Sequence, residues 1–285
     1  VPVSLSMPEA YFGFLHVGKA GGGTVNQRLR QGWKITNFWS CHPLPQPCFK
    51  RSKHALKTAG ITINIRDPVD RFVSAFYWRT TIICNPRGDK RRKHSKAARD
   101  PENRCKPSNW RDEVQLLFHD YHQNASGFAE DLCSSNETRT VELVRMANSL
   151  GQARVYLKHW LTFKWKSENM FAIVNEKAAN ISLEDETDAA VHWIYNRTNF
   201  ESPEEFQNRV RFAKSTKVPA GWHLHSSAKT KKDLSPEGAR CMVEFLRSEY
   251  ELLRDKKEAL CKTIECHRGI ESMLARRGFL VATPE

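Results

Sequence analysis

The chain contains no run approaching the ~20 consecutive apolar residues needed to span a bilayer, so no membrane helix is expected within it. It has no C-x-x-C pair, which argues against a structural zinc site. No internal repeat is evident, and neither zinc-finger spacing nor an RNP-like aromatic motif occurs. The first residue is Val1 and not methionine, as expected if a signal or membrane anchor has been trimmed. Acidic residues are scarce relative to basic ones, 32 against 45, giving a net charge of +13. Such an excess favours a polyanionic partner. Without nucleic-acid motifs, an anionic cofactor and an anionic glycan fit better than nucleic acid.

A length of 285 residues suits one α/β domain with insertions, or at most two domains, and 40% apolar residues can build a core. The eight cysteines are even in number, and N-x-[ST] sequons begin at Asn124, Asn136, Asn180 and Asn196. Together they favour an oxidising lumen, with the cytoplasm as the alternative. Connectivity is not readable from spacing. Cys41 and Cys48 bracket a proline-rich loop, and Cys84 and Cys105 flank a basic run within 79–109 that reads as an inserted loop. Residues 255–285 read as a C-terminal helix and extension.

The chain is organised around Tyr11 to Leu29, YFGFLHVGKAGGGTVNQRL. An apolar run is broken by Gly18, Gly21, Gly22 and Gly23 around Lys19, and Thr24, Val25 and Leu29 follow at helical spacing. A strand, glycine loop and helix form an anion cradle, because backbone amides and the helix N-terminus face the loop. The alternative is a glycine-rich turn with a solvated lysine. Gly13 to Lys19 also spells G-x-x-x-x-G-K, but Ala20 replaces the hydroxyl that would bind Mg²⁺, and Gly13 falls inside the strand.

A second stretch, ITINIRDPVDRFVSAFYW from Ile61 to Trp78, reads as a strand ended by Arg66-Asp67-Pro68. Val69, Phe72, Val73 and Phe76 then give a helical face, with Ser74 two turns in. Taken alone, this is also what a helix start with ion-paired Arg66 and Asp67 looks like. Lysine followed by Gly-Gly-Thr resembles the 5′-phosphosulfate loop of PAPS-dependent sulfotransferases, with Gly18 and Val25 in place of the family's proline and serine. R-D-P-x-x-R-x-x-S is similar to the same family's 3′-phosphate motif. The pair, in this order, resembles the Golgi carbohydrate sulfotransferases, the uronosyl 2-O type above all.

The resemblance implies an α/β, P-loop-like three-layer fold in a single domain, 1–285, with a central parallel sheet and helices on both faces. It implies PAPS as cofactor and a hydroxyl acceptor, an anionic glycan. Lys19, Ala20 and the amides of Gly21, Gly22, Gly23, Thr24 and Val25 would hold the phosphosulfate, and Arg66 and Ser74 the 3′-phosphate. His54, upstream of the second strand, matches the place of an active-site histidine in the uronosyl enzymes; histidine suits proton abstraction near neutral pH. It also reads as a solvated residue of the basic segment KRSKHALK. His16 would order the loop.

Met170 to Val174 reads as a third buried strand, after which Glu176 and Ser182-Leu183 resemble the family's E-x-x-x-x-S-L segment, with five residues here between the glutamate and the serine where that pattern has four. Glu176 would bind acceptor or orient the base; otherwise it is a helix-start carboxylate. Lys229 and Lys231 precede a helix opened by Ser235-Pro236-Glu237, where the family has a similar late loop, and the resemblance implies that they help to cover the nucleotide, with Trp222 stacking on a ring or filling core. A P-loop kinase and a non-catalytic polyanion-binding module remain as alternatives.

Overall fold

A computed structural model describes residues 11–35, 38–41, 58–84, 121, 124–133, 140–144, 147, 170–198, 203–216 and 234–280. In chain order the elements are strand β1 (Tyr11–Leu15), helix α1 (Gly22–Gln27) with a π-helical turn (Arg28–Gly32), and strands β2 (Phe38–Cys41) and β3 (Thr58–Arg66). Helices α2 (Pro68–Cys84) and α3 (Ala125–Asp131), strand β4 (Met170–Asn175) and a 3-10 turn (Lys177–Ala179) follow. The chain continues through helices α4 (Leu183–Thr198), α5 (Pro203–Ser215), α6 (Pro236–Phe245), α7 (Arg247–Leu260) and α8 (Ile264–Arg276). These residues divide into two compact units, each built from separate stretches: Val1–Asp67, Val155–Leu224 and Glu249–Glu285 form the first, Pro68–Arg154 and His225–Ser248 the second.

The first unit holds a four-stranded, all-parallel sheet in the order β2-β1-β3-β4. Ile61, Ile63 and Ile65 alternate along β3 with Thr62 and Asn64, and all are buried, as in a parallel sheet covered on both faces. Phe14 of β1 and Phe171 and Ile173 of β4 share a core with Val25 and Leu29 of the first helical segment and Ala190 and Ile194 of α4. Val174 points to the opposite face by strand alternation. There Gly269 brings α8 so close that a Cβ would sit 2.7 Å from Val174 Cγ1. The parallel α/β class is therefore as expected.

Within residues 255–285, read as a C-terminal helix and extension, the helix is α8. Ile270, Met273 and Leu274 of α8 are fully buried, so the helix is a layer of the sheet domain. Thr263 caps it by accepting from the Cys266 amide at 3.1 Å, and a Cys261–Cys266 disulfide closes the preceding turn. On the other face Asp188 of α4 accepts from Arg28 Nε and Nη2 at 2.8 and 2.7 Å and from Trp33 Nε1 at 2.6 Å. That network pins the π-helical turn. The segment from Gly32 to Lys57 contains β2, whose Phe38–Cys41 pair in register with Phe12–Leu15.

In the second unit, Phe72 and Phe76 of α2 pack with Phe128 of α3 at ring separations of 5.8 and 5.7 Å. Asn124 caps α3, accepting from the Ser126 and Gly127 amides. Ser235 caps α6, accepting from the Gly238 amide at 3.0 Å, and its hydroxyl also bonds Glu130. A Cys133–Cys241 disulfide joins the α3 and α6 segments. Helix α2 continues to Cys84, past the expected start of the insertion at residue 79; the rest of that run lies outside the described residues. So do the side chains of Cys41, Cys48, Cys84 and Cys105.

Candidate functional site

The site forms where β1 and β3 end. Beyond Leu15 the chain leaves the ladder, and Val17 C=O accepts from the Ala20 amide at 3.4 Å, closing a turn around Gly18 and Lys19. Lys19 and Gly21 take positive φ, 63° and 89°, with Ala20 between them on the negative side. Left-handed residues in a short loop of this kind are also what anion-binding backbone turns are built from. Lysine pays for this conformation with about 1–2 kcal/mol of strain.

Each glycine has its own reason. At Gly21 a side chain would need the left-handed region and would collide with Leu183 and Asn175. At Gly22 a Cβ would fall inside the His16 ring, which stacks on Phe14 with centroids 5.7 Å apart. His16 thus packs beneath the loop. At Gly23 a Cβ meets nothing within 4 Å among the described residues. Gly21 occupies the N-cap without a side-chain cap, and the first amides of α1 have no carbonyl one turn earlier in the helix.

Arg66, the last residue of β3, donates from Nη1 to the Lys19 carbonyl at 3.2 Å. The two sequence motifs therefore meet, with Arg66 half-buried beside the loop. These residues suit an anionic group: a lysine, a guanidinium and the opening amides of a helix. Thr24 is half-buried in the first turn and Ala20 and Val25 are fully buried; the Ala20 amide donates to the Val17 carbonyl and the Thr24 and Val25 amides to the Gly21 carbonyl, so these three amides, expected to face the phosphosulfate, already have backbone acceptors. In the second unit, Ser74 is half-buried on α2.

Glu176 follows β4 directly, with its side chain 3% exposed. Its Oε1 accepts from the Ala178 amide at 2.9 Å and its Oε2 from Arg276 Nη2 at 2.8 Å. This is the geometry of a helix-start carboxylate. Asp67, fully buried after Arg66, accepts from Arg277 Nε and Nη2, both at 3.1 Å, and from Tyr250 Oη at 3.3 Å. The strand ends are thus tied to α7 and α8. His54, Trp222, Lys229 and Lys231 lie outside the described residues.

Sequence reasoning missed Asn64. It is fully buried on β3, and its side-chain amide bonds both backbone groups of Val17. No protein-family model, curated protein or solved structure matches the chain.

Proposed function

We propose that the chain is a PAPS-dependent sulfotransferase of P-loop-like, three-layer architecture, acting on a glycan hydroxyl in the Golgi lumen or elsewhere in the secretory pathway. One observation carries the reading: the Arg66 guanidinium bonds the Lys19 carbonyl, so two motifs 47 residues apart in sequence share one loop. A structural helix-start box would need no such partner. PAPS would supply the activated sulfuryl group. Lys19 and the amides from Gly21 to Gly23 would hold its phosphosulfate and take up charge left on the departing oxygen, the preorganised electrostatic help that dominates group transfer. Arg66 would hold the 3′-phosphate, joined by Ser74 on sequence spacing alone. His54, on the resemblance, would take the acceptor proton.

Calorimetry with adenosine 3′,5′-bisphosphate tests the reading. The wild-type chain is expected to bind it. Arg66→Ala should weaken that binding by about 1.5–3 kcal/mol, the worth of a charged hydrogen bond, and weaken 5′-AMP clearly less, by no more than the lost bond to the Lys19 carbonyl accounts for. Equal losses for both nucleotides would remove the 3′-phosphate assignment. No binding at all, or tight Mg²⁺-dependent ATP binding instead, would remove the sulfotransferase reading and favour a kinase in the second case.

A further inference from the structure

Strand β3 grips the loop at two points, and only Arg66 belongs to a motif. The second point is Asn64. The pairing of β1 with β3 ends at Leu15 opposite Ile63. One step on, the Asn64 side chain stands in for the missing backbone. Its Oδ1 accepts from Val17 N–H at 2.8 Å, and its Nδ2 donates to Val17 C=O at 3.2 Å. That same carbonyl accepts from the Ala20 amide and so forms the base of the turn that presents Lys19.

The sheet alone does not require asparagine here. The position is fully buried in a strand whose residues 61 to 65 are all buried, so an apolar side chain would suit the layer. A buried amide is tolerated when both its donor and its acceptor are satisfied, and Val17 satisfies both. With the peptide groups on either side of Val17 fixed, the strained Lys19 and the left-handed Gly21 follow at a defined place.

We propose that Asn64 is a positioning residue for the anion loop, setting Val17 so that Lys19 and the first amides of α1 converge on one anionic group. This rests on the sulfotransferase reading of the loop. Thr62 provides a matched control: it is also fully buried on β3, and its hydroxyl donates to the Gly13 carbonyl at 3.2 Å, well before the loop.

Asn64→Leu and Thr62→Val each remove buried side-chain bonds from β3 to β1, and both should lower thermal stability. They should differ in binding, measured where each variant is fully folded. Asn64→Leu is expected to weaken adenosine 3′,5′-bisphosphate about tenfold, and Thr62→Val less than about twofold. In turnover the KM for the sulfuryl donor should rise about tenfold in Asn64→Leu, with the KM for the acceptor unmoved. Equal losses in the two variants, or none in Asn64→Leu, overturn the proposal. If the wild-type chain binds no such nucleotide, the function reading fails, and amide exchange across residues 17–24 decides the positioning role by itself. Faster exchange there in Asn64→Leu than in Thr62→Val upholds it; equal exchange ends it.

Discussion

At the scale of single residues, Gly22 is needed for the protein's own packing, whereas Lys19 is not what the backbone alone would choose. Gly22→Ala would drive a methyl into the His16 ring, and overpacking of this kind typically costs about 1–3 kcal/mol. Removing the ring should return part of that, so Gly22→Ala and His16→Ala are expected to be strongly non-additive in a denaturation double-mutant cycle. Simple additivity would show that the ring and the loop do not press on each other. Lys19 behaves in the opposite way. Its φ of 63° favours glycine, so Lys19→Gly should fold at least as stably while losing phosphosulfate binding. A variant that loses stability and binding together would mark Lys19 as structural. Lys19 and the glycines were legible in the sequence because glycine spacing announces backbone conformation. Asn64 was not. In ITINIR the polar positions Thr62 and Asn64 read as the solvent face of a half-buried strand, but helices cover both faces, and the amide has turned to serve backbone instead of water.

At the scale of elements, the strands around the site were legible from apolar runs, and α4, α6 and α8 begin at Ser or Thr caps. What the pattern hid was continuity. Ala239, Val243, Leu246, Tyr250 and Leu253 fall at the spacing of one helical stripe, but the chain breaks at Leu246 into α6 and α7, and in α6 the buried residues are Gly238, Cys241 and Met242, with Ala239 and Val243 only partly buried. The tail's helix was legible but its place was not: it interleaves charges with the buried Ile270, Met273 and Leu274, and an amphipathic stripe does not say which layer it covers. The α4–α8 junction also yields a pH prediction. Glu186 of α4 is buried and accepts from Thr263 Oγ1, the cap of α8, at 3.1 Å. Burial pushes its carboxyl from 4.5 up to about 7, opposed by the Thr263 bond and reinforced by nearby Glu265 and Asp185. The folded state therefore holds a proton that the unfolded chain gives up above 4.5. This stabilisation is complete below that value and is lost as pH rises through about 7. Glu186→Gln keeps an acceptor for Thr263 and should flatten the decline in stability between pH 5 and pH 8. An unchanged pH profile in urea titrations would show that Glu186 does not titrate in this range.

At the scale of the whole molecule, the described disulfides and sequons bear on where the chain folds. Cys133–Cys241 spans 108 residues and Cys261–Cys266 spans 5. Closing the longer loop restricts the unfolded chain more, by about 4–5 kcal/mol against about 2 in the loop-entropy estimate. Replacing the first pair by alanine should therefore cost more stability than replacing the second. Such bonds persist in oxidising compartments and are rare in the cytosol. The described sequon asparagines, Asn124, Asn180 and Asn196, are all exposed, so none would have to bury a glycan. Asn180 stands in a turn with φ 53°, where its side chain projects without interrupting a strand or helix. Asn124 keeps its carbonyl oxygen on the α3 amides, and N-linkage would use its nitrogen, so capping and glycosylation are compatible there. Protein secreted from eukaryotic cells, unfolded without reductant, is then expected to show few reactive thiols and a mass excess removed by glycosidase. Eight free thiols and an unmodified mass would place folding in a reducing compartment and withdraw the lumenal part of the functional reading, while leaving the anion loop to be judged by its own binding test.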